Sequence, residues 1–332
     1  MKTLVTGGAG FIGSNFIHLL LSNYPNYNII NIDNLSYAGN KLNLSEIENY
    51  NNYSFEEGDI CNKEFISMIL SKYQPECIIN FAAETHVDNS IINQIPFLHT
   101  NILGVSNLLD SSLEYIKKGK INNFKFIHVS TDEVYGSLDA EQDSFTEDSI
   151  YKPSSVYSAS KASSDHLVYS YFRTHSFPAI ITNCSNNYGP RQHSEKLIPK
   201  TIASCINKEK ITVYGTGKNI RDWIHVDDHN IALIKIMENG RCGEKYNIGG
   251  SCELENMYVV KEICEYFYKK DENNFDYMNL ITMVDDRKGH DFRYAINQSK
   301  IENELGFKPK IKFKEGLSST IEWYISKLKN YS

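Results

Sequence analysis

Thr6-Gly7-Gly8-Ala9-Gly10-Phe11-Ile12-Gly13 is the stretch that decides the fold. It follows an apolar segment at residues 3–6 and opens residues 12–20, whose apolar side chains recur on one helical face. Gly7, Gly10 and Gly13 fall at a spacing of three. Glycine at these positions lets the backbone turn tightly and lets a pyrophosphate approach the N–H groups at the positive end of the helix. The stretch therefore predicts the strand–turn–helix unit of a dinucleotide-binding domain.

Asp33 ends the next apolar segment, about 20 residues beyond the glycines, which is where a dinucleotide-binding unit places its acidic residue. Its carboxylate can accept hydrogen bonds from both ribose hydroxyls of NAD, and its charge would repel the 2′-phosphate of NADP. We therefore expect NAD as the cofactor. The alternative is that Asp33 only caps the end of a strand.

Short apolar segments alternate with helical patterns through the first half of the chain, which predicts a Rossmann-like, doubly wound α/β fold with a parallel sheet. The predicted strands are Thr3–Thr6, Ile29–Asp33, Ser54–Gly58, Cys77–Ala82, Lys125–Ser130 and Ala179–Asn183. The second half is richer in turns, with helices predicted after Asp228 and from Glu255 to Tyr268. We expect residues 1–183 to bind NAD and residues 184–332 to form mainly a smaller C-terminal α/β substrate lobe, parts of which could return to the sheet.

Composition narrows the class of protein. The net charge of −7 argues against general nucleic-acid binding, and no apolar run approaches the roughly 20 residues that span a bilayer. Seven scattered cysteines without a Cys-x-x-Cys pair suggest neither a disulfide framework nor a metal site. The N-terminus starts a strand and is unlike a signal peptide, so we expect a cytoplasmic protein that binds neither membrane nor metal.

Tyr157 and Lys161 lie four residues apart, on one face of a predicted helix, and Ser130-Thr131 precedes them at a strand end. A tyrosine is a poor base at neutral pH, but a neighbouring ammonium and a positive nicotinamide would lower its pKa. With the glycine turn, these residues resemble the extended short-chain dehydrogenase/reductase family. The resemblance implies that Tyr157 accepts the alcohol proton, that Lys161 binds the nicotinamide ribose and that Thr131 polarises the substrate.

Asp132 and Glu133 follow directly, at the predicted catalytic edge of the sheet. Hydride transfer alone needs no further acid or base, whereas elimination of water needs both. Two adjacent carboxyl groups in different environments can have their pKa values pushed apart, so that one is neutral and one ionised. The alternative is a pair of surface loop acids.

With this pair, the chain resembles the nucleotide-sugar 4,6-dehydratases within that family. The matching segments are 81–88, 184–190, 195–199, 215–223, 246–250 and 289–291, in order along nearly the whole chain. Asn183, Ser194, Lys288 and Phe292 depart from the residues usual in the family.

The resemblance and the strand-end positions together give three sets of expected site residues. The catalytic set is Thr131, Asp132, Glu133, Tyr157 and Lys161. The cofactor set is Gly7, Gly10, Phe11, Ile12, Gly13, Asp33, Asn34, Asp59, Ile60, Ala82, Ala83, Thr100, Tyr157, Lys161 and Asn187. The substrate set is Thr85, Thr131, Asn186, Lys196, Leu197, Tyr214, Arg221, Asn256, Arg287 and His290.

The activity implied is conversion of a nucleotide-diphosphate-glucose, with dTDP as the expected nucleotide, to the 4-keto-6-deoxy sugar. Oxidation at carbon 4 precedes loss of water across carbons 5 and 6, and the hydride then returns to carbon 6. Glu133 would take the carbon-5 proton and Asp132 would protonate the leaving hydroxyl. UDP or CDP stays open as the nucleotide, and a homodimer is expected by analogy.

Three other functions compete with this one. A nucleotide-sugar 4-epimerase would need Tyr157 and Lys161 but not the carboxyl pair. A decarboxylase should carry a positive group for its substrate's carboxylate, which nothing here demands. A non-catalytic NAD-sensing module would have no use for Thr131, Tyr157 and Lys161.

Overall fold

The segment before the glycine turn forms the middle of a parallel sheet. In the computed structural model, which describes residues 1–119, 121 and 123–329, this sheet has seven strands in the order β10-β6-β5-β4-β1-β2-β3. The strands are β1 (Lys2–Thr6), β2 (Asn28–Asp33), β3 (Tyr53–Glu57), β4 (Cys77–Asn80), β5 (Lys125–Thr131), β6 (Ala179–Cys184), β7 (Asn186–Tyr188), β8 (Ile211–Tyr214), β9 (Ile220–His225), β10 (Lys245–Ile248), β11 (Glu253–Glu255) and β12 (Ile281–Val284). The predicted α/β class with a parallel sheet is confirmed.

Helices connect these strands. They are α1 (Phe11–Asn23), α2 (Lys63–Tyr73), α3 (Val87–Ile92), α4 (Ile95–Leu98), α5 (Val105–Gly119), α6 (Val156–His175), α7 (Leu197–Asn207), α8 (Val226–Asn239), α9 (Asn256–Lys270), α10 (Ser299–Leu305) and α11 (Phe313–Lys329). Short 3₁₀-helices span Lys41–Leu44, Asp132–Tyr135 and Tyr277–Leu280, and a π-helix spans His99–Gly104. No helix in the described ranges is long and apolar enough to cross a membrane.

The sheet is covered on both faces, as its continuous apolar strands require. Leu4 and Val5 are neighbours in β1, and because side chains alternate along a strand they enter different clusters. Val5 packs with residues of α1 and α8, whereas Leu4 packs with residues of α2, α5 and α6. Both side chains are fully buried, and burial of each contributes about 1.5–3 kcal/mol.

The strand predicted at Cys77–Ala82 ends two residues earlier, at Asn80. The Asn80 side chain accepts a hydrogen bond from Thr6 Oγ1 over 2.6 Å, and Phe81 N donates to Thr6 O. The backbone of Ala82 then lies directly against Gly7. The chain leaves the sheet here because it packs against the glycine turn.

A second, smaller unit is built mostly from the later chain. Strands β11, β9 and β7 form one small sheet and β12 and β8 another. Apolar residues of α7, α9 and α11 form its core against these strands. One late strand, β10, lies in the large sheet, where it pairs in parallel with β6.

The order of the strands positions the site. Strand β1 lies between β2 and β4. Strands β2 and β3 are added on one side of β1, and β4, β5, β6 and β10 on the other, so the strand order reverses at β1. In open parallel sheets this reversal leaves a crevice outside the carboxyl ends of the strands, where ligands bind. The glycine turn, Asp33 and the residues after β5 all lie at these carboxyl ends.

Candidate active site

The glycine turn packs tightly at the carboxyl end of β1. Gly7 has φ +73°, and a Cβ on it would lie 2.6 Å from Ala82 N, which is closer than real Cβ contacts. A Cβ on Gly13 would lie 2.5 Å from Gly7 O. Both positions therefore exclude a side chain, and the N-terminus of α1 is left open towards the crevice.

A cavity begins at this turn and runs along the strand ends. All of the residues expected at the cofactor line it, together with Thr85, Thr131, Asp132 and Glu133. The Asp33 carboxylate accepts hydrogen bonds from Ala9 N and Leu35 N, each over 2.8 Å. It is buried, and burial raises its pKa against the effect of these two bonds.

The carboxyl pair lies in the 3₁₀-helix Asp132–Tyr135, directly after β5. Thr131 caps this helix, since its Oγ1 accepts a hydrogen bond from Glu133 N over 3.3 Å. The Asp132 side chain is buried, and its Oδ2 has no hydrogen-bond partner among the described residues. The short helix thus holds one carboxyl oxygen that no described residue of the chain bonds.

The two carboxyl groups lie in different electrostatic environments. Burial, and then the charge of Glu133, raises the pKa of Asp132 well above its usual range. Burial also raises the pKa of Glu133, but Lys196, Arg221 and Arg287 oppose that shift. Asp132 is therefore better suited to the role of the protonated acid, and Glu133 to that of the ionised base.

Tyr157 and Lys161 project from α6, whose N-terminus is capped by Ser155. Lys161 Nζ donates a hydrogen bond to Val129 O over 2.8 Å, and burial lowers its pKa to about 8. Burial and the charge of Glu133 raise the pKa of Tyr157, whereas a hydrogen bond with Thr131 lowers it. Burial thus opposes the lowering of the Tyr157 pKa that is expected from Lys161 and the nicotinamide together, and that combined effect stays a prediction.

A second cavity adjoins the first and opens between the two units. Its walls carry the remaining residues of the predicted substrate set, which are Asn186, Lys196, Leu197, Tyr214, Arg221, Asn256, Arg287 and His290. Glu133, Asn186 and Lys196 line both cavities. Glu133 thus lies where the two meet.

The two arginines of this cavity are held differently. Arg221 is buried, donates to Ile220 O and Asp291 O, and lies 4.3 Å from the centre of the Tyr294 ring. Arg287 forms an ion pair with Asp88, its Nε lying 2.6 Å from Oδ1. Neither guanidinium forms an ion pair with Asp222 or Asp285, two acids close in sequence.

Comparison with known proteins places the chain in a family. A family model described as GDP-mannose 4,6 dehydratase matches residues 4–320. The chain belongs to this family. A dTDP-glucose 4,6-dehydratase of Haemophilus influenzae is 47% identical over 98% of this chain and 98% of its own length. The resemblance to nucleotide-sugar 4,6-dehydratases is confirmed.

Solved structures of two kinds share the fold. The dTDP-glucose 4,6-dehydratase DesIV from Streptomyces venezuelae, crystallised with NAD and dTDP, is 40% identical, with a TM-score of 0.91 over 99% of this chain and 98% of that one. A UDP-glucose 4-epimerase from Thermotoga maritima is 30% identical, with a TM-score of 0.87 over 99% of this chain and 100% of that one. The fold therefore serves both reactions.

In this member of the dehydratase family, sequence reasoning assigned no role to two acidic residues of the cavities. Glu195 lies between His86 and His193, within 3.3 Å and 3.4 Å of their ring nitrogens. Asp88 pairs with Arg287, 199 residues away. The segment containing Glu195 was recognisable, whereas the partner of Asp88 could be found only in three dimensions.

One departure from the family's usual residues lies just behind the site. Asn183 is buried in β6 and donates to Thr131 O over 3.1 Å and to Asp165 Oδ2 over 3.2 Å. It therefore ties the end of β5 to α6 without contacting either cavity.

Proposed function

We propose that this chain is an NAD-dependent lyase that converts dTDP-glucose to dTDP-4-keto-6-deoxyglucose, a step of deoxysugar biosynthesis. One observation carries the proposal: two adjacent carboxyl groups in different electrostatic environments, Asp132 and Glu133, line the same cavity as Tyr157. An epimerase on the same fold has no use for such a pair. The two dTDP-glucose 4,6-dehydratases named above support the same reaction.

The residues of the first cavity fit NAD. The glycine turn and the N-terminus of α1 offer backbone N–H groups and a positive dipole to the pyrophosphate. The oxygens of Asp33 keep lone pairs for the adenosine ribose hydroxyls. Tyr157 and Lys161 would contact the nicotinamide ribose. When bound, NAD supplies a reversible hydride acceptor and a positive charge beside the phenol.

Oxidation at carbon 4 requires a base for the hydroxyl proton. Tyr157 fills this role, and Thr131 supports its phenolate through the hydrogen bond that lowers the phenol pKa. Lys161 is held by Val129 O and would contribute positive charge to the same cavity. The ketone formed at carbon 4 makes the proton on carbon 5 acidic.

Elimination of water then uses the carboxyl pair. Glu133 takes the proton from carbon 5, since three cations favour its ionised form. Asp132 gives its proton to the departing hydroxyl of carbon 6 through Oδ2, the oxygen without a hydrogen-bond partner in the described part of the chain. Return of the hydride to carbon 6 and of a proton to carbon 5 completes the product.

The second cavity suits a sugar nucleotide. Lys196, Arg221 and Arg287 bring positive charge to its walls, and a guanidinium can bind phosphate oxygens in a bidentate manner. In this scheme the diphosphate competes with Asp88 for Arg287. The glucose ring would then point to Glu133, where the cavities meet.

A direct assay tests the function. The protein is incubated with NAD and dTDP-glucose, UDP-glucose or CDP-glucose, and the products are analysed by mass spectrometry. We expect the dTDP sugar to lose one water. A product with the mass of the substrate and the configuration of galactose would instead identify an epimerase.

We also propose that the chain forms a homodimer and works in the cytoplasm. A face of α3, α4 and the π-helix exposes Ile91, Ile92, Ile95, Leu98 and Leu103, whose exposed fractions run from 39% to 85%. A second copy could cover this apolar face about a two-fold axis. The seven cysteines are free, which suits the reducing cytoplasm.

The dimer can be tested by sedimentation. The wild-type chain should sediment as a dimer, and Ile92→Asp should dissociate it; a monomer in both cases would exclude the dimer.

A further inference from the structure

Behind the active site, α6 carries a third buried polar residue in line with Tyr157 and Lys161. Asp165 follows Lys161 by four residues, so the three side chains lie on one face of the helix. Asp165 is 2% exposed and Lys161 is 3% exposed. The reaction scheme gives Asp165 no role, yet a buried carboxylate is costly unless its charge is compensated.

Lys161 needs such a compensating charge. Its hydrogen bond goes to Val129 O, a neutral carbonyl. Burial lowers the pKa of Lys161 to about 8, and the carboxylate of Asp165 is the first influence that opposes this shift. Without that carboxylate, burial would act on the ammonium almost unopposed.

The carboxylate is held rigidly from three other parts of the chain. Its Oδ2 accepts hydrogen bonds from Tyr151 OH over 2.8 Å, Ser130 Oγ over 3.0 Å and Asn183 Nδ2 over 3.2 Å. His128 Nε2 lies 3.5 Å from Oδ1. These donors come from β5, β6 and the segment before α6. Burial raises the pKa of Asp165, and Lys161 and these hydrogen bonds oppose that shift and favour the ionised form.

Few other groups near this pair change charge around neutral pH. Burial, and then Lys161, lowers the pKa of His128 well below its usual range. Burial raises the pKa of Cys184 to about 12, and it keeps the pKa values of Tyr135 and Tyr151 far above neutral. Burial also lowers the pKa of Lys245, which Asp165 opposes.

We propose that Asp165 is a positioning residue for the reaction: its buried carboxylate, fixed by Ser130, Tyr151 and Asn183, keeps the Lys161 ammonium charged beside Tyr157. The inference rests on the proposed function for the part that Lys161 plays in turnover. Asp165 itself contacts neither cavity. A purely structural Asp165 would only join α6 to β5 and β6.

Asp165→Asn tests the proposal, because it removes the charge and keeps the size. We expect the alkaline limb of the pH dependence of kcat to move down by at least about one pH unit, which is about a tenfold loss of rate on that limb. Asp165→Glu should restore much of the wild-type profile. Tyr151→Phe is the matched control, since it removes one hydrogen bond of Asp165 but leaves the carboxylate. The alkaline limb of its pH profile should stay in place.

A second readout does not depend on turnover. The titration of Lys161 in the holoenzyme can be followed by NMR of ¹³Cε-labelled lysine, with the resonance assigned from Lys161→Met. We expect the pKa of Lys161 to fall in Asp165→Asn and to stay in place in Tyr151→Phe. If Asp165→Asn does not fold, Asp165→Glu and Asp165→Gln, which match in size and differ in charge, give the same comparison.

An Asp165→Asn enzyme that loses stability and rate equally at every pH, with an unmoved Lys161 titration, would overturn the proposal. The proposed function fails separately. A wild-type protein that does not dehydrate dTDP-glucose, but whose Lys161 titration still shifts in Asp165→Asn, refutes the function and leaves this inference standing.

Discussion

Asp132→Asn and Glu133→Gln should block elimination while leaving oxidation at carbon 4 possible. Neither residue acts on the 4-hydroxyl in this mechanism, and each substitution keeps the size of the side chain. An amide can neither donate the proton that Asp132 gives to the leaving hydroxyl nor take the proton that Glu133 removes.

The expected magnitude follows from the two environments. Loss of a positioned acid or base costs about 10²–10⁴ in rate, which is about 3–5 kcal/mol in the barrier. Asp132→Asn should cost little stability, because burial raises the pKa of Asp132 and favours its neutral form, and its Oδ2 has no partner among the described residues. Glu133→Gln removes a charge that faces Lys196, Arg221 and Arg287, so it should also change substrate affinity.

Single-turnover absorbance at the band of reduced cofactor gives the assay. Wild-type enzyme should show little of this signal, whereas either variant should accumulate it after substrate is added. Glu141→Gln, an exposed acid in the loop that follows, is the control and should behave as wild type. If both site variants made product at the wild-type rate, the carboxyl pair would have no part in the reaction, and the result would favour the epimerase function.

Three further predictions concern single residues. Tyr157→Phe should reduce turnover by about 10²–10⁴-fold, because no other group can take the alcohol proton; near-normal kcat would remove Tyr157 from the mechanism. Asp33 should make the protein bind NAD more tightly than NADP in calorimetry, and equal affinities would contradict its role. Burial lowers the pKa of His229 from 6.5 to about 3, so the unfolded state binds a proton that the folded state does not. The contribution of neutral His229 to the free energy of unfolding is fully present above pH 6.5. It should therefore fall as the pH drops towards 3, by up to about 1.4 kcal/mol per pH unit. In urea unfolding, His229→Leu should make the free energy of unfolding depend less steeply on pH. An unchanged dependence would contradict this role of His229.

The sequence predicted the strands of the first half well, because each is short, apolar and followed by a turn or a helical pattern. The error at Cys77–Ala82 arose because residues 81–82 are as apolar as the strand before them. In the structure their backbone lies directly against Gly7, a contact that the sequence does not reveal. Strand β10 was not predicted as a strand, since four residues carry little periodicity.

For the site, the sequence placed side chains at strand ends, and the structure brings these residues to two adjoining cavities. Their roles stay predictions. Contacts between distant segments were beyond the sequence, such as Arg287 with Asp88. The raised pKa of Tyr157 was also missed, because it depends on burial that no spacing of residues reveals.

The central claim is that one hydride moves within one sugar molecule, from carbon 4 to carbon 6. Substrate carrying deuterium at carbon 4 is turned over in ordinary water, and unlabelled substrate is turned over in heavy water. Mass spectrometry and NMR of the products should find deuterium at carbon 6 in the first case and solvent deuterium at carbon 5 in the second. Deuterium lost to solvent from carbon 4, or retained on carbon 4 of an epimerised hexose, would contradict this mechanism.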